Sequence, residues 1–299
     1  MGPRWGIDIQ AEYVEGLVLE SLGAPRSLRR LRVASEVDKG YYHVLGQVHK
    51  LVEVLSAEVG MRASKIGVAV PGNFDPITKT LKQSGLNAFE AKPLATDLRT
   101  YLGLEVTLQD AARCMTLAET RFGIVTESVP NAKCVVGVRL GNYLSGAVVI
   151  NGRILNGRQG IAGSFAHSYL DAKGGNCWCG KHGCAETLLA GRSIERFYTD
   201  LSGKHLPLST LFGPRNESLP YMAELREHVV YNLAKALGPV INLLDPDCIV
   251  LGGLPVNDDV VFNQLPEVLK RFVHNSRLDT VLVRPKLGRR VVVTGAALL

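Results

Sequence analysis

Three cysteines in the second half of the chain lie within eight residues of one another, in a segment rich in glycine. Cys177, Cys179 and Cys184 supply thiolates, which Zn²⁺ binds well, and the glycines let the backbone fold back so that the three can converge. Structural zinc takes four tetrahedral N or S ligands. His167, ten residues before Cys177, is the predicted fourth ligand, and His182 is the competing candidate.

The context of these cysteines favours a metal site over a disulfide. The other three, Cys114, Cys134 and Cys248, lie singly in apolar segments, and the first residues reach Asp8 without the apolar stretch of a secretory signal. Disulfides are rare in proteins that are not exported. The sequence therefore predicts a closed, structural zinc site, with a reduced cluster without metal and a disulfide as the alternatives.

One carboxylate stands at the end of a predicted strand, where it could take part in chemistry. Asp110 lies between a predicted strand, 106–108, and a predicted helix, 111–122. A carboxylate in such a place can accept the proton of a reacting hydroxyl. It can equally cap the helix that follows, and the spacing alone does not separate these two roles for Asp110.

Alternating strands and helices have to position these residues. Short apolar runs predict strands at 5–9, 13–20, 31–35, 66–70, 106–108, 134–139, 146–150 and 248–251. Apolar residues at helical spacing predict helices at 44–59, 94–102, 111–122, 193–200, 221–244 and 260–273. The alternation runs in two blocks that meet near 123–132, which indicates an α/β fold built from two parts.

Composition excludes several other classes of protein. The chain of 299 residues is 46% hydrophobic and 21% charged, which is typical of a folded protein with a core. Its longest apolar runs have the length of a strand, far short of the ~20 residues of a membrane span, so we expect a cytoplasmic protein without membrane contact.

The net charge of +6 is diffuse. We expect the basic stretch at 26–32 to be a solvated strand face and, without a helix-turn-helix, we expect no nucleic-acid partner.

The motifs described above, in this order along nearly the whole chain, resemble those of the ROK family of sugar kinases and related repressors. The cysteine segment is similar to the zinc signature of that family. On the nucleotide side, Ile7-Asp8-Ile9 resembles the family's first phosphate strand, and 245–253 resembles its adenosine-side strand and turn. On the sugar side, Pro71-Gly72-Asn73 resembles the sugar-side turn, and Leu86-Asn87 resembles the sugar loop. The segment 108–119 resembles the catalytic strand and helix. Allose kinases and N-acetylmannosamine kinases look nearest among the members.

The resemblance implies an actin-like or hexokinase-like fold, with two lobes around a cleft. The first lobe would comprise 1–123 and a C-terminal helix within 286–299, and the second lobe would comprise 124–285 with the zinc loop. The implied activity is transfer of the γ-phosphate of ATP, with Mg²⁺, to a hydroxyl of a hexose or an N-acetylhexosamine, usually O6. The resemblance also implies a structural zinc ion and a homodimer.

The same resemblance assigns roles to individual residues of this sequence. Asp110 would be the general base. The residues that would bind the sugar are Gly72, Asn73, Asn87, Asp110, His167 and Glu186. Those that would bind the nucleotide are Asp8, Gly141, Gly252 and Gly253, and those that would bind zinc are His167, Cys177, Cys179 and Cys184.

Both phosphate loops depart from the family pattern. The first, Asp-x-Gly-Gly-Thr in the family, is Asp8-Ile-Gln10-Ala11-Glu12 here, and the second, Gly-Thr-Gly-hydrophobic-Gly-Gly, is Gly141-Asn142-Tyr143-Leu144-Ser145-Gly146. Glycines let backbone N–H groups surround phosphates, whereas Glu12 would place a carboxylate there and Tyr143 is bulky. Ser164 replaces a glutamate that contacts the sugar, and Gln109 replaces an asparagine.

These observations leave two main hypotheses. The first is an active sugar kinase with Asp110 as its base. The alternative is a sugar-binding pseudokinase or regulatory protein, in which the altered phosphate loops leave little or no kinase activity. A third interpretation, a zinc-stabilised α/β protein that uses its cleft for another purpose, stays open, and the sequence does not name the sugar.

Overall fold

A computed structural model of the protein describes residues 2–82, 84–214, 216–275 and 277–299. The strands are β1 Arg4–Ile9, β2 Tyr13–Ser21, β3 Ala24–Ala34, β4 Lys65–Ala69, β5 Asn73–Phe74, β6 Leu81–Lys82, β7 Glu105–Gln109, β8 Cys134–Leu140, β9 Leu144–Ile150, β10 Arg153–Ile154, β11 Cys248–Gly253 and β12 Val281–Val283. The α-helices are α1 Tyr41–Val59, α2 Leu94–Leu102, α3 Ala111–Phe122, α4 Ile124–Ser128, α5 Glu186–Leu189, α6 Gly191–Ser202, α7 Leu208–Leu211, α8 Met222–Leu244, α9 Leu254–Asn257, α10 Asp259–Leu269 and α11 Val291–Ala297. Strands and helices alternate, so the predicted α/β class is confirmed.

The chain divides into two compact units. The first contains Met1–Gly123, Arg153–Ala162 and Lys286–Leu299, and the second contains Ile124–Gly152 and Gly163–Pro285. Among the described residues, no helix is both long and apolar enough to cross a bilayer.

A five-stranded sheet in the order β3-β2-β1-β4-β7 forms the centre of the first unit. Strands β1, β4 and β7 are parallel, whereas β1, β2 and β3 form an antiparallel meander. Alternate residues of β2 face opposite sides of the sheet, as strand geometry requires: Val14 and Val18 pack in the core with α1, and Leu17 and Leu19 pack against α11. Helices therefore cover both faces of the sheet.

The basic stretch at 26–32 lies on β3, the edge strand of this sheet. Three of its four arginines pair with carboxylates on neighbouring elements: Arg29 with Glu58, and both Arg30 and Arg32 with the buried Glu15. The position of the stretch on an edge strand confirms the prediction that it is a strand face.

The C-terminal helix α11 packs directly on strands β1 and β4 and against α3. Gly67, in the middle of β4, makes this close approach possible, because a Cβ atom at that position would overlap the carbonyl oxygen of Ala296. The backbone of α11 consequently rests on the sheet with no side chain between them at this point.

We expect Gly67→Ala to destabilise the first unit by about 3 kcal/mol or more, because overpacking a core typically costs 1–3 kcal/mol and here the obstacle is backbone. Chemical denaturation of the variant measures this change. Gly23→Ala is the matched control, since a Cβ atom at Gly23 would meet nothing within 4 Å. Equal stability of the two variants would contradict the packing of α11 on β4.

The second unit is built on strands in the order β9-β8-β11-β12. Strands β8, β11 and β12 are parallel, and β8 and β9 form an antiparallel hairpin. The long helix α8 packs against α10, and its apolar residues, spaced as predicted, lie in the core of this unit with β8 and β11. The carboxyl ends of β8 and β11 therefore lie side by side, and polar groups at these ends can act together.

Several bounds differ from those predicted. The C-terminal helix expected within 286–299 spans Val291–Ala297, and the helix predicted at 260–273 ends at Leu269. The third strand begins at Ala24 instead of 31 because its basic residues pair across the hairpin with β2. Helices at 94–102 and 111–122 have the predicted bounds.

Candidate functional site

The four predicted zinc ligands lie together in the second unit. The ligand atoms of His167, Cys177, Cys179 and Cys184 all lie within 4.8 Å of one another. The Sγ atom of Cys177 is 3.6 Å from Nδ1 of His167, and the Sγ atoms of Cys179 and Cys184 are 3.7 Å apart. Ligands at zinc bond lengths of 2.0–2.3 Å occupy tetrahedron corners about 3.5 Å apart. The donor set and its spacing therefore fit one Zn²⁺ ion.

Backbone hydrogen bonds hold residues 175–186, the zinc segment, in this shape. The N–H of Cys177 donates to the carbonyl of Lys181 at 2.7 Å, and the N–H of Gly180 donates to the carbonyl of Cys177 at 2.9 Å. His182, the competing ligand, forms a β-bridge with Asn176 and is exposed, outside the group of four. His167 is thus the histidine that the structure brings to the cysteines.

The protonation of this group suits a metal. Burial lowers the pKa of His167, which favours the neutral imidazole that a metal binds. Burial and the neighbouring thiols raise the pKa of Cys184 to about 12, so a bound cation is needed to keep this sulfur as a thiolate. Because Nδ1 of His167 faces the cysteines, its other ring nitrogen, Nε2, remains for a different partner.

Glu186 begins α5 directly after the cysteines, and its side chain is only 4% exposed. Its Oε2 accepts a hydrogen bond from the N–H of Leu144 at 2.7 Å, and its Oε1 accepts one from Nε1 of Trp178 at 3.1 Å. Burial raises the pKa of Glu186. Each oxygen has a second lone pair, so the carboxylate can still accept a ligand hydroxyl while it ties the second phosphate loop to the zinc segment.

The second phosphate loop is a tight connection of three residues between β8 and β9. Gly141 donates through its N–H to the carbonyl of Tyr143, and its own carbonyl accepts from the N–H of Gly191. The hydroxyl of Tyr143 accepts a hydrogen bond from Nη2 of Arg192 at 2.7 Å, and its ring packs edge-on against Trp178. Tyr143 is therefore held against the zinc segment rather than extended into solvent.

Gly252 and Gly253 end β11 beside this loop, since Gly253 pairs with Leu140. Gly253 has a φ of 118°, and a Cβ atom there would overlap the carbonyl oxygen of Leu140. The structure thus brings together Gly141, Gly252 and Gly253, three of the four predicted nucleotide-binding residues.

A cavity of about 90 Å³ opens next to these groups in the second unit. The residues that line it include Tyr143, Trp178, Glu186, Arg192 and Arg196. A cavity of this size with donors and acceptors on its wall can hold a small polar group.

Asp110, the predicted base, belongs to the first unit and follows β7 at the carboxyl edge of the parallel strands. It caps α3: its Oδ1 accepts from the backbone N–H of Arg113 at 3.0 Å, and its Oδ2 lies 3.1 Å from Nη1 of Arg113. Burial raises the pKa of Asp110, and the positive charge of Arg113 acts in the opposite direction. The capping role and a role in chemistry are therefore compatible, because Oδ2 is not used by the cap.

Gly72, another predicted residue of the first unit, lies at the same edge of the sheet. It belongs to the turn after β4, and Asn73 begins β5 directly after it. Ser84 donates to the carbonyl of Pro71 at 3.0 Å and fixes the following segment to this turn. Asn87 begins a 3₁₀ turn, Asn87–Phe89, and is exposed. The structure thus groups the turn at Gly72 with Asp110 on adjacent parallel strands.

Asp8 is the last but one residue of β1 and is buried. Its Oδ1 accepts a hydrogen bond from Nε2 of Gln10 at 2.7 Å, and the turn that follows is closed by the N–H of Gln10 to the carbonyl of Tyr13 at 2.8 Å. Glu12 in this turn is exposed. The residue that departs from the family pattern at position 10 therefore contacts the predicted nucleotide-binding carboxylate directly.

Three side chains of these sites were missed by sequence reasoning: Arg113, Trp178 and Arg192. Arg113 offers one usable signal, since a basic residue three positions after a helix-capping aspartate lies within reach of it. Arg192 meets Tyr143, which lies 49 residues away, and Trp178 meets Glu186 across an irregular segment, so periodic spacing reveals neither contact.

Comparison with known proteins adds to this geometry. The model of the ROK family matches residues 4–299. The chain is 33% identical over 274 residues to an N-acetyl-D-glucosamine kinase of Pectobacterium carotovorum, a match that covers 87% of each chain.

Solved structures share the fold. A ROK hexokinase from Thermus thermophilus superposes with a TM-score of 0.86 at 25% identity, over 99% of this chain and 97% of its own. A ROK family transcriptional regulator gives a TM-score of 0.80 at 21% identity, over 99% of this chain and 77% of its own. The hexokinase-like fold is therefore confirmed. Since a kinase and a regulator share it, the fold alone does not decide between them, and the expected lack of a nucleic-acid partner stays a prediction.

Proposed function

The chain belongs to the ROK family, and from that premise we propose that it is an ATP-dependent sugar kinase whose acceptor is an N-acetylhexosamine, with N-acetyl-D-glucosamine as the first candidate. The similarity to N-acetyl-D-glucosamine kinases supports the acceptor. The observation that carries the proposal is Asp110, a carboxylate with a side chain 12% exposed, at the carboxyl edge of parallel strands and with one oxygen outside its helix cap.

In this proposal Asp110 removes the proton from the attacking hydroxyl of the sugar. The hydroxyl oxygen forms a bond to the γ-phosphorus of ATP, the bond from that phosphorus to the bridging oxygen breaks, and ADP leaves with the electron pair. The proton goes to Asp110. A pKa raised by burial suits a base that must take and later release a proton near neutral pH.

The remaining predicted residues would bind the two substrates. Nε2 of His167, the carboxylate of Glu186, the backbone at Gly72 and the amides of Asn73 and Asn87 would bind sugar hydroxyls. Asp8 and the glycines Gly141, Gly252 and Gly253 would serve the nucleotide, which enters with Mg²⁺. Zinc would hold His167 in its orientation and is not required for the phosphoryl-transfer step. The homodimer, the cytoplasmic location and the two-lobed cleft stay predictions.

Release of ADP from Mg·ATP, measured with zinc-loaded protein, tests the proposal. The acceptors are N-acetyl-D-glucosamine, N-acetylmannosamine, glucose and allose, and mass spectrometry of the product identifies the phosphorylated sugar. We expect turnover to be fastest with an N-acetylhexosamine. No turnover with any acceptor, together with sugar binding in calorimetry, would replace the kinase with the sugar-binding pseudokinase.

We expect Glu12→Thr to tighten the binding of Mg·ATP about fivefold. Removing one negative charge about 4 Å from a phosphate is worth about 1 kcal/mol in water, and 1.4 kcal/mol is a factor of ten in affinity. Isothermal calorimetry with a non-hydrolysable ATP analogue measures the change. Glu20→Thr, which removes the same charge from an exposed position at the other end of β2, is the control and should leave the affinity unchanged. Unchanged affinity in both variants would contradict the placement of the phosphates at this loop.

A further inference from the structure

We propose that Arg113 is a positioning residue for phosphoryl transfer, which holds the carboxylate of Asp110 and the backbone of the segment at 160–162 in one fixed arrangement. This inference rests on the proposed function, since it assigns Arg113 a task in the reaction of Asp110. Arg113 lies one helical turn after Asp110 on α3 and does not itself reach the reacting atoms in this proposal.

Arg113 is a charged side chain enclosed by the protein, with only 2% of its surface exposed. Its Nη1 lies 3.1 Å from Oδ2 of Asp110. Its Nη2 donates to the carbonyls of Gly160 and Ala162, at 2.7 and 3.0 Å. Its Nε is buried without a hydrogen-bond partner. One planar group thus joins a carboxylate to two carbonyls, a geometry that the fork of a guanidinium allows and the single ammonium of a lysine does not.

The segment that Arg113 holds reaches the predicted sugar-side turn. Gly160 packs so closely on the backbone of Phe74 that a Cβ atom at Gly160 would overlap its carbonyl oxygen. Phe74 follows Asn73 in β5. Gln109, the residue before Asp110, contacts the chain a few residues before this segment: its Nε2 donates a hydrogen bond to Oδ1 of Asn156 at 2.7 Å.

These contacts form a continuous path of packed atoms from Asp110 through Arg113 and Gly160 to the turn at Asn73. If the Arg113 side chain is lost, the carboxylate keeps the cap at Oδ1 but loses the contact that fixes Oδ2, and the turn loses a support. A displacement of the base by about 1 Å can slow a reaction by about 100-fold, because the reacting atoms must meet in a narrow range of geometries.

Arg113 also sets the charge around the base. Its guanidinium lowers the pKa of Asp110 against the opposing effect of burial. Asp8, on β1, is a further titratable group in this region, since both Asp8 and Asp110 raise the pKa of Cys114, which lies on α3. Without Arg113, the pKa of Asp110 should rise further. A base must be ionised to act, so activity would then be lost at a higher pH as the solution is acidified.

The test compares Arg113→Gln and Arg113→Lys with the unchanged protein. We expect the glutamine variant to lose about 10- to 100-fold in kcat, with the KM for the sugar changed much less. We expect its acid limb of kcat/KM to move to higher pH, a shift that a loss of stability alone does not produce. The lysine variant keeps the positive charge but not the planar guanidinium with its several donors. We therefore expect its acid limb to lie near that of the unchanged protein, whereas its kcat should remain reduced.

Arg226→Gln is the matched control. Arg226 is also buried and pairs with a helix-capping aspartate, Asp258, at 2.8 Å, but it lies on α8 in the second unit. This variant should keep its pH profile and most of its kcat. A folded Arg113→Gln protein with kcat within twofold of the unchanged protein and an unmoved acid limb would overturn the proposal. If the glutamine variant does not fold, the lysine variant decides, and normal kcat in that variant overturns the proposal.

The result for the unchanged protein separates the two levels of inference. No phosphoryl transfer by the unchanged protein would refute the proposed function and this role of Arg113 together. Normal transfer by the unchanged protein and by the Arg113 variants would refute the role of Arg113 alone.

Discussion

Replacing Asp110 with asparagine should lower kcat for phosphoryl transfer by about 10²- to 10⁴-fold, the usual contribution of a general base. The amide of asparagine has nearly the shape of the carboxylate but cannot take a proton at neutral pH. Coupled assays of ADP release with saturating sugar and Mg·ATP measure the change. Binding of the sugar, followed by calorimetry, should fall far less.

Asparagine is the informative substitution because it also caps helices well. The hydrogen bond from the N–H of Arg113 to Oδ1 of Asp110 can be kept by an amide oxygen, so α3 should begin at the same residue. A loss of activity would then report on the proton and not on the fold.

Asp258→Asn is the control for this experiment. Asp258 caps α10 through the N–H groups of Val260 and Val261, and its carboxylate pairs with the buried Arg226, so it repeats the local chemistry of Asp110 in the second unit. This variant should suffer the same loss of an ion pair and yet keep kcat. Equal losses of kcat in the two variants would mean that Asp110 acts through stability.

The pH dependence gives the same experiment a second readout. Because burial raises the pKa of Asp110, kcat/KM of the unchanged protein should fall as the pH is lowered through a value above that of an ordinary aspartate. Above this pKa the base is ionised and activity is at its plateau. The remaining activity of the asparagine variant should lack this acid limb.

The site could be predicted from sequence where its parts are close along the chain. The three cysteines lie within eight residues, and thiolates so near one another have few arrangements other than convergence on an ion. The strand and helix around Asp110 are also local, since apolar periodicity and a capping residue specify them, and the helix has its predicted bounds.

The unpredicted parts depend on contacts between distant residues. Glu186 was expected to bind the sugar, but each of its oxygens also accepts a hydrogen bond from the protein, and one donor, Leu144, lies 42 residues away. The support of Asp110 by Arg113 depends on Gly160 and Ala162, about whose positions the helix pattern carries no information. Periodicity reports which face of an element is buried and not which distant backbone atom lies opposite.

The altered phosphate loops also show that a sequence pattern does not reveal which partner a side chain meets in the fold. From sequence, Gln10 and Tyr143 are departures that remove small residues from places where phosphates bind. In the structure each has a specific partner, Asp8 for Gln10 and Arg192 for Tyr143, so neither side chain lies unsupported in its loop. These partners hold both side chains in place, a property that the sequence pattern alone does not reveal.

For a protein that holds zinc at the predicted ligands, replacing Cys184 with serine should release the ion and lower the free energy of unfolding of the second unit by about 4 kcal/mol or more, since loss of a structural metal belongs to the most destabilising class of changes. Cys184 is 1% exposed, and its backbone forms a β-bridge with Tyr169, so the whole segment depends on its position. Metal analysis and chemical denaturation measure the two effects. Cys134→Ser, a half-buried cysteine of β8 outside the ligand group, should keep its zinc.

The sugar affinity of the Cys184 variant tests whether the metal also serves the site. With zinc on Nδ1, the ring of His167 is fixed between the cysteines and Trp178, and Nε2 has one direction in which to donate. Without zinc the ring is free to rotate, and Trp178, which donates to Glu186, loses the segment that holds it. We therefore expect sugar affinity to fall about 10- to 100-fold, the range typical when an orienting partner is removed. A variant that loses zinc but binds sugar with unchanged affinity would limit the metal to a role in folding and remove His167 from the sugar site.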